Sequence, residues 1–467
     1  MLEHLEKQES LTPNQWKIFA AATVGDMLDF FDFYLIGFIL AFIIGGWQLT
    51  FGQSGVILLS SGVGAPIGSL FWGWMADKIG RRKVMILTVL NFSLATGAMA
   101  FTPDQGWLFL AVCRFFVGMG VTGLHTANIT IVQEFVPAYK RGWVTGLTTT
   151  LLPAGTLLGA LASAYLEPHI GWRGLFVVGL LPAGMTLMIR AWVPESPHWL
   201  IGRGRHEEAR QSLAWALQVD PATIELRSAM ASSEKIAWRE LFRYPRSMAV
   251  ACLTGISQTG TVGITLWLTT LLVLVLKVSP TKASYLVVWV GVVSIAGRFF
   301  CAWMSDELGR RRSILLACLI AAAAMSLAGY LSGAYLGKFS LFYLLILAQS
   351  FFGSGNYAIV GPYMAEVWPS KLRASGMGLG YGFGNLGKFI GPAGLAIIAG
   401  STNYASPEAT LDALVPAMNY FAFWYLVAAA AIWIWGYETK GRSLADIDAE
   451  LGARSASDQA VKMAAGN

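Results

Sequence analysis

Long apolar runs, separated by short polar segments, dominate this chain. Runs of about 18 or more apolar residues are long enough to cross a bilayer as helices. The pattern therefore predicts an all-α membrane protein with twelve transmembrane helices. The predicted spans cover residues 18–46, 52–76, 84–102, 106–134, 143–166, 172–193, 247–275, 283–304, 313–334, 340–366, 374–400 and 414–436.

The composition supports this class. Hydrophobic residues make up 55% of the 467-residue chain and charged residues only 13%, whereas a soluble domain carries about 25% charged residues. The first sixteen residues are polar and mixed in charge. This start does not match a signal peptide, so we expect the first span to be retained.

The net charge of +6 is distributed unevenly between the two sides of the predicted bundle. Cytoplasmic loops of membrane proteins are enriched in Lys and Arg, so the bias places both termini and residues 194–246 in the cytoplasm and argues against a nucleic-acid partner. The basic side carries Lys78, Arg81, Arg82, Lys83, Lys140, Arg141, the 203–246 segment, Arg310, Arg311, Arg312, Lys371, Arg373, Lys440 and Arg442. The opposite loops carry Arg173, Lys277, Lys282 and Lys338.

One long hydrophilic segment divides six spans from six. The predicted parts are a cytoplasmic segment 1–17, a bundle 18–193, a linker 194–246 with amphipathic helices, a bundle 247–436 and a tail 437–467. Three motifs recur in the same order in both halves, which indicates a duplicated six-helix unit. Such an architecture suits alternating access around a site near the bilayer midplane. The motif pairs are residues 77–82 with 306–311, 134–141 with 366–373, and 194–200 with 437–441.

Three carboxylates, Asp26, Asp29 and Asp32, interrupt the first apolar run. A charge at mid-bilayer costs about 2.5–3.5 kcal/mol on insertion scales. The spacing keeps the three on one side of a helix, so they are expected to face an interior and to carry protons, with Asp26 the weakest candidate. The alternative is a helix that begins near residue 30 and places these acids at the interface.

Other polar residues recur along single helix faces. Arg114, His125 and Asn128 share one stripe of the fourth span, because eleven residues return to within about 20° on a helix. His125 either joins proton transfer, since its unperturbed pKa is near 6.5, or is a packed neutral residue. Further stripes hold Gln349, Asn356 and Tyr363 on span 10, Tyr381, Asn385 and Lys388 on span 11, and Gln258, Thr261 and Thr265 on span 7. The predicted substrate contacts are Lys388, Tyr381, Asn385, Asn356, Gln258 and Asn128.

Several motifs resemble those of the major facilitator superfamily, on its sugar-porter-like branch. The motifs are distributed along the chain, so the resemblance covers nearly its whole length. The paired acids and the 369–376 segment look most like bacterial organic-acid proton symporters, although Phe30 stands where the aromatic-acid group usually has Gly. The motifs are Gly73-xxx-Asp77-Lys-x-Gly80-Arg81-Arg82, Arg114-xxx-Gly118-x-Gly120, Pro194-Glu-Ser-Pro-x-Trp-Leu, Glu438-Thr-Lys-Gly-Arg-Ser-Leu, Asp29-Phe-Phe-Asp32 and Pro369-Ser-Lys-Leu-Arg373-Ala-Ser-Gly.

The resemblance implies roles for several charges. Arg114 is expected to pair with Asp32 as a proton switch, or else to bind a substrate carboxylate. The resemblance also implies a cytoplasmic gate of charged residues that closes the inner mouth, and Arg298 is expected to belong to it because it lies near the inner end of span 8. The gate residues are Asp77, Arg81, Arg82, Glu134, Arg141, Asp306, Arg310, Arg311, Glu366 and Arg373.

The predicted function is proton-coupled import of a small organic anion, a mono- or dicarboxylate, across a bacterial inner membrane by a monomer. The alternatives are a sugar, polyol or zwitterion symporter and a non-transporting receptor. No enzymatic nucleophile–base pair, metal cluster or phosphate-binding loop stands out, so we expect no catalysis, cofactor or metal. The four cysteines match no metal spacing and are expected to be core residues.

Overall fold

The computed structural model describes residue 8 and residues 10–224, 238–369 and 372–442. Helices dominate these residues, with one short hairpin of strands β1 (Tyr335–Leu336) and β2 (Phe339–Ser340). The helices are α1 (Pro13–Gly46), α2 (Phe51–Ile79), α3 (Arg81–Ala98), α4 (Trp107–Phe135), α5 (Ala138–Leu151), α6 (Pro153–Tyr165), α7 (Glu167–Val178), α8 (Met185–Trp192), α9 (Pro197–Gly202), α10 (His206–Leu217), α11 (Pro245–Ile256), α12 (Gln258–Leu276), α13 (Pro280–Leu308), α14 (Arg310–Tyr330), α15 (Leu341–Gly355), α16 (Tyr357–Glu366), α17 (Arg373–Ile398) and α18 (Pro407–Trp435). Short 3₁₀ helices cover Met99–Phe101, Leu181–Gly184, Pro221–Thr223 and Trp238–Arg243.

The first helix is continuous for 34 residues. It begins at Pro13 because Thr12 and Gln15 form a capping box, and proline is well suited to the first helical position. The alternative of a helix that begins near residue 30 is therefore wrong. The three aspartates of α1 lie well inside a membrane-spanning helix.

The predicted spans all correspond to helical segments. In the described part of the chain, ten spans are long and apolar enough to cross a bilayer, and α7 with the segment Leu181–Trp192 forms an eleventh that is bent by 44°. The remaining prediction, span 11 at 374–400, coincides with α17, a 26-residue helix that contains many glycines and Lys388. The predicted span 143–166 is divided at Pro153 into α5 and α6, since proline lacks the amide hydrogen that would continue the helix.

Glycines allow close packing of α2 along α4. A Cβ on Gly64 would collide with the carbonyl oxygen of Phe115, and one on Gly118 would collide with that of Ser61. Membrane helices associate through such small residues because lipid supplies no hydrophobic driving force between them. This packing fixes α4, and with it Arg114, His125 and Asn128, inside the first bundle.

The described chain divides into two compact units. Unit 1 holds the residues up to 224 together with Thr265–Gly291 and Gly400–Thr410, and unit 2 holds residues 238–264, Val292–Ala399 and 411–442. The unit boundaries at 264/265 and 291/292 lie inside α12 and α13, so the units differ from the two predicted bundles. Within unit 1, the Ser163 hydroxyl hydrogen-bonds that of Ser284 at 3.0 Å.

Candidate functional site

The three aspartates of α1 are all buried. Asp26, Asp29 and Asp32 expose 2% or less of their surface. The partners of Asp26 and Asp32 come from neighbouring helices of unit 1, and the two carboxylates have different environments. The acids predicted from the sequence therefore form an interior array and not an interfacial cap.

Asp26 lies in a polar cluster with two residues of α4. The Asn128 amide donates to Asp26 Oδ1 at 2.8 Å and to the Ala22 carbonyl at 3.2 Å, and His125 Nδ1 lies 3.4 Å from the same carboxylate oxygen. Asp26 is buried, whereas His125 keeps 34% of its side chain exposed. A proton can therefore pass between a half-exposed imidazole and a buried carboxylate. Asn128, predicted as a substrate contact, is buried and hydrogen-bonded to Asp26.

Asp32 and Arg114 lie together, but the guanidinium does not bind the carboxylate. Arg114 is fully buried and donates to the backbone carbonyls of Asp32 at 3.1 Å and Phe33 at 2.7 Å. The Asp32 carboxylate accepts a hydrogen bond from Thr96 at 2.7 Å. Backbone carbonyls of α1 can accept these bonds because each oxygen has a second lone pair. Arg114 therefore contacts α1 at Asp32 and Phe33 through backbone carbonyls, and the partner of the Asp32 carboxylate is the Thr96 hydroxyl.

Unit 2 contains a separate polar network. The Tyr425 hydroxyl accepts from the Gln349 amide at 2.8 Å and lies 2.5 Å from the Thr261 hydroxyl. Gln258 packs closely against Gly384, where a Cβ would meet its amide. One member of each predicted stripe, Thr261 of span 7 and Gln349 of span 10, therefore meets at the Tyr425 hydroxyl of α18, which sequence reasoning missed.

Arg298, like Arg114, is a buried cation. Its side chain is 6% exposed, its Nε lies 3.4 Å from the Ser354 hydroxyl, and its guanidinium lies 5.7 Å from the Tyr357 ring centre. Arg298 was expected to belong to the gate; in the structure its side chain is buried against Ser354 of α15 and Tyr357 of α16. Its position inside an apolar span was a sequence signal for this placement.

The remaining predicted contacts have different settings. Asn385 and Lys388 are half-buried on α17. Asn356 is buried and donates to the Cys318 sulfur at 3.3 Å, which is a packing contact. All four cysteines are free and buried, and their burial agrees with the expectation that they are core residues. Among the described residues, no group of three or more metal-ligating side chains occurs.

A glutamate caps the start of α3, next to the 77–82 motif. Glu195 Oε1 accepts from the backbone amides of Arg81 at 2.8 Å and Arg82 at 3.1 Å. Gly80 has a positive φ of 101°, and a Cβ there would collide with the Glu195 carboxylate. The glycine is therefore needed both for its backbone conformation and for the space it leaves. A carboxylate at a helix start is also favoured by the helix dipole.

The second half repeats this arrangement at the start of α14. Glu438 accepts from the amides of Arg310 at 2.8 Å and Arg311 at 3.2 Å. Gly309 has a φ of 92°, and a Cβ there would collide with the Glu438 carboxylate. The loose sequence echo between residues 194–200 and 437–441 thus corresponds to the same capping geometry.

Each cap adjoins an ion pair that also recurs. Arg81 contacts Glu134, whose other oxygen accepts from the Ser196 hydroxyl at 2.5 Å. In the second half, Arg310 Nε lies 3.9 Å from Glu366, which accepts from the Thr439 hydroxyl at 2.5 Å. We call these groups the N-half cluster and the C-half cluster. The N-half cluster comprises Gly80, Arg81, Arg82, Glu134, Glu195 and Ser196, and the C-half cluster comprises Gly309, Arg310, Arg311, Glu366, Glu438 and Thr439.

The second arginine of each motif ties two helix ends together. Arg82 donates to the Arg190 carbonyl at 2.5 Å, and Arg311 donates to the Trp433 carbonyl at 2.8 Å. Asp306 pairs with Arg310 at 2.9 Å. By contrast, the Asp77 carboxylate makes no ion pair within the described residues.

Two other residues predicted for the gate, Asp77 and Arg373, make hydrogen bonds with residues outside the two clusters. The Asp77 carbonyl accepts from the Trp199 indole at 2.9 Å and from Arg203 at 3.0 Å, so Asp77 supports the α9 segment through its backbone. Arg373 donates to the Ala365 carbonyl at 3.1 Å. The side chain of Arg141 lies outside the described residues.

A helical bundle with buried charges on its spans and a duplicated motif set defines a multi-pass membrane transporter. A model of the sugar (and other) transporter family matches residues 17–451, and the chain belongs to this family. It is a family of transporters, which confirms that the chain is not an enzyme.

Individual relatives and structures agree with this assignment. The niacin transporter of Acinetobacter baylyi is 31% identical over 433 residues, which cover 91% of this chain and 94% of that protein. The cis,cis-muconate transport protein of the same species is 26% identical over 385 residues, 82% of this chain and 88% of that protein. The partially occluded, inward-open xylose transporter XylE of Escherichia coli has a TM-score of 0.70 at 18% identity and covers 92% of this chain and 100% of its own. The fold is therefore that of the major facilitator superfamily.

Replacing Asp77 by asparagine is expected to leave the protein folded and to lower its transport rate. The contacts of Asp77 to Trp199 and Arg203 use its backbone carbonyl, so the substitution keeps them, while it removes the negative charge near Arg81. Initial uptake rates and thermal melting of the purified variant test this. Wild-type rates from a folded variant would remove Asp77 from the gate.

Proposed function

We propose that this protein imports a small organic anion together with protons by alternating access. The observation that carries the proposal is the burial of three carboxylates inside α1, each exposed by 2% or less. Buried acids are costly in a membrane and mark proton or ion pathways. An acid that takes a proton before its surroundings change conformation supplies the coupling.

The proton path that we propose uses two sets of groups in unit 1. Asp32, hydrogen-bonded to Thr96 and adjacent to Arg114, is the main carrier with Asp29. Asp26 and His125 form a second pair, because the imidazole lies 3.4 Å from the carboxylate and is partly exposed. Asn128 fixes the Asp26 carboxylate for this exchange.

For the substrate, we propose an anchoring role for the cations of unit 2. Arg298 presents a guanidinium over the ring of Tyr357, which suits a carboxylate attached to a planar group. Lys388 and Asn385 of α17 and Gln258 of α12 complete the proposed contacts. The names of the relatives, which transport niacin and cis,cis-muconate, support a carboxylate substrate.

The proposed setting is a bacterial inner membrane with both termini in the cytoplasm. The bias of Lys and Arg toward one set of loops supports this orientation. The N-half and C-half clusters then lie at the cytoplasmic ends of the helices, where breaking and reforming their ion pairs accompanies opening of the inner mouth.

Solute-induced proton uptake in liposomes tests the proposal. The purified protein is reconstituted and challenged with aromatic and aliphatic carboxylates and with neutral sugars, while the external pH is recorded. A carboxylate is expected to make the outside more alkaline, and Arg298→Gln is expected to weaken that response. A response to sugars alone would favour the sugar or polyol symporter, and ligand binding without proton movement or accumulation would favour a receptor.

A further inference from the structure

A basic cavity of about 310 Å³ lies beside the N-half cluster in unit 1. It is bounded by the start of α3, the end of α8 and the α9–α10 segment. Four cations line it, whereas only two carboxylates do. The cations are Arg82, Lys83, Arg190 and Arg205, and the carboxylates are Glu195 and Glu208.

The two carboxylates are already engaged. Glu195 accepts from the amides at the start of α3, and Glu208 binds the guanidinium of Arg205, with 2.6 Å between Oε1 and Nε. Lys83 and Arg190 make no ion pair within the residues that the structure describes. The cavity therefore keeps positive charge that no carboxylate of its wall neutralises.

The cavity adjoins a surface suited to hydrocarbon. Leu87, one residue beyond Ile86 of the cavity wall, is 39% exposed, and Leu187, one turn before Arg190, is 70% exposed. Helices α3 and α8 pack against each other, so these leucines flank the same helix pair. Exposed apolar side chains on membrane-spanning helices face acyl chains. Positive charge at the helix ends and apolar surface along the helices match the two parts of a phospholipid.

We propose that this cavity binds an anionic phosphate group, supplied by the headgroup of a membrane phospholipid. Basic pockets between helix ends recognise such headgroups, and Arg and Lys bind phosphate through charge-assisted hydrogen bonds. Because Glu195 is part of the wall, a bound phosphate lies next to the cap of α3 and to the Arg81–Glu134 pair. A bound phosphate therefore adds negative charge next to the residues of the N-half cluster. A soluble phosphate compound has the same binding chemistry.

Lipid binding to the delipidated full-length protein, measured by native mass spectrometry, tests this site. The probes are phosphatidylglycerol, phosphatidylcholine and inorganic phosphate. The test variant combines Lys83→Gln with Arg190→Gln. The matched control is Arg312→Gln, which removes one exposed charge at the position of the second half that corresponds to Lys83.

Phosphatidylglycerol is expected to bind the wild type more tightly than phosphatidylcholine, and its affinity is expected to fall roughly fivefold for each cation removed from the cavity. Arg312→Gln is expected to retain wild-type affinity. Binding of inorganic phosphate without preference for the anionic lipid would assign the site to a soluble phosphate compound. Equal lipid binding by the double variant and the wild type, or an equal loss per charge in the control, would overturn the proposal.

Discussion

Replacing Asp32 by asparagine is expected to abolish uphill transport while exchange of solute across the membrane continues. The Asp32 carboxylate is fully buried and bound by Thr96. Asparagine retains an oxygen that can accept the Thr96 bond, but it cannot gain or lose a proton. The substitution therefore removes coupling without removing the local packing.

The size of the effect follows from the driving force. A gradient of one pH unit supplies about 1.4 kcal/mol for each proton, which sustains roughly tenfold accumulation of a monoanion imported with one proton. The wild type is expected to reach that ratio in liposomes that are alkaline inside. The asparagine variant is expected only to equilibrate the solute. Radiolabelled uptake with and without a pH gradient measures both ratios.

A matched control separates coupling from a general loss of carboxylate charge. Asp104 is exposed and pairs with Arg173 at 2.8 Å, so Asp104→Asn is the same substitution outside the membrane interior. It is expected to accumulate solute as the wild type does. Uphill accumulation by Asp32→Asn would transfer the coupling role to Asp29 or to the Asp26–His125 pair.

The spans were predictable from sequence because a membrane helix must satisfy its backbone internally, which leaves length and hydropathy as strong signals. The burial of Asp26, Asp29 and Asp32 inside a helix was expected from the same run. The starting residues of helices were harder to predict from the sequence. The extension of α1 back to Pro13 depends on the capping box of Thr12 and Gln15, which lies outside the apolar pattern.

Contacts between helices were harder to predict, because periodicity gives the face of a residue but not its partner. The proximity of Arg114 to Asp32 was expected by resemblance, yet the guanidinium binds backbone carbonyls that carry no sequence signal. Arg298 was assigned to the gate from its position near a helix end. Its contacts with Ser354 and Tyr357 on span 10 depend on how two distant helices pack.

The repeated clusters illustrate the same limit. The sequence predicted both copies of the motif and several of their charged members. It did not predict that Glu195 and Glu438 cap helix starts through backbone amides, because an amide donor looks identical at every position of the chain. Residue spacing therefore identified the motif, and only the fold defined its hydrogen bonds.

The two clusters are expected to differ in strength, although their sequences match. Glu134 is 8% exposed and contacts Arg81 directly, whereas Glu366 is 24% exposed and lies 3.9 Å from Arg310. Breaking a buried pair costs about 3–5 kcal/mol, while an exposed pair contributes about 0–1 kcal/mol. Glu134→Gln is thus expected to lower the melting temperature and the transport rate clearly, and Glu366→Gln is expected to lower them only slightly.

Thermal melting in one detergent, with uptake rates from the same preparations, measures this difference. Glu207→Gln is the control, because Glu207 is exposed and pairs with Arg210 at 3.6 Å, and it is expected to change neither quantity. A double variant with Arg81→Gln should recover part of the stability lost in Glu134→Gln, since the uncompensated arginine is then removed. Equal losses from Glu134→Gln and Glu366→Gln would mean that burial does not set the energy of these pairs. The two clusters would then contribute equally to stability and to the transport rate.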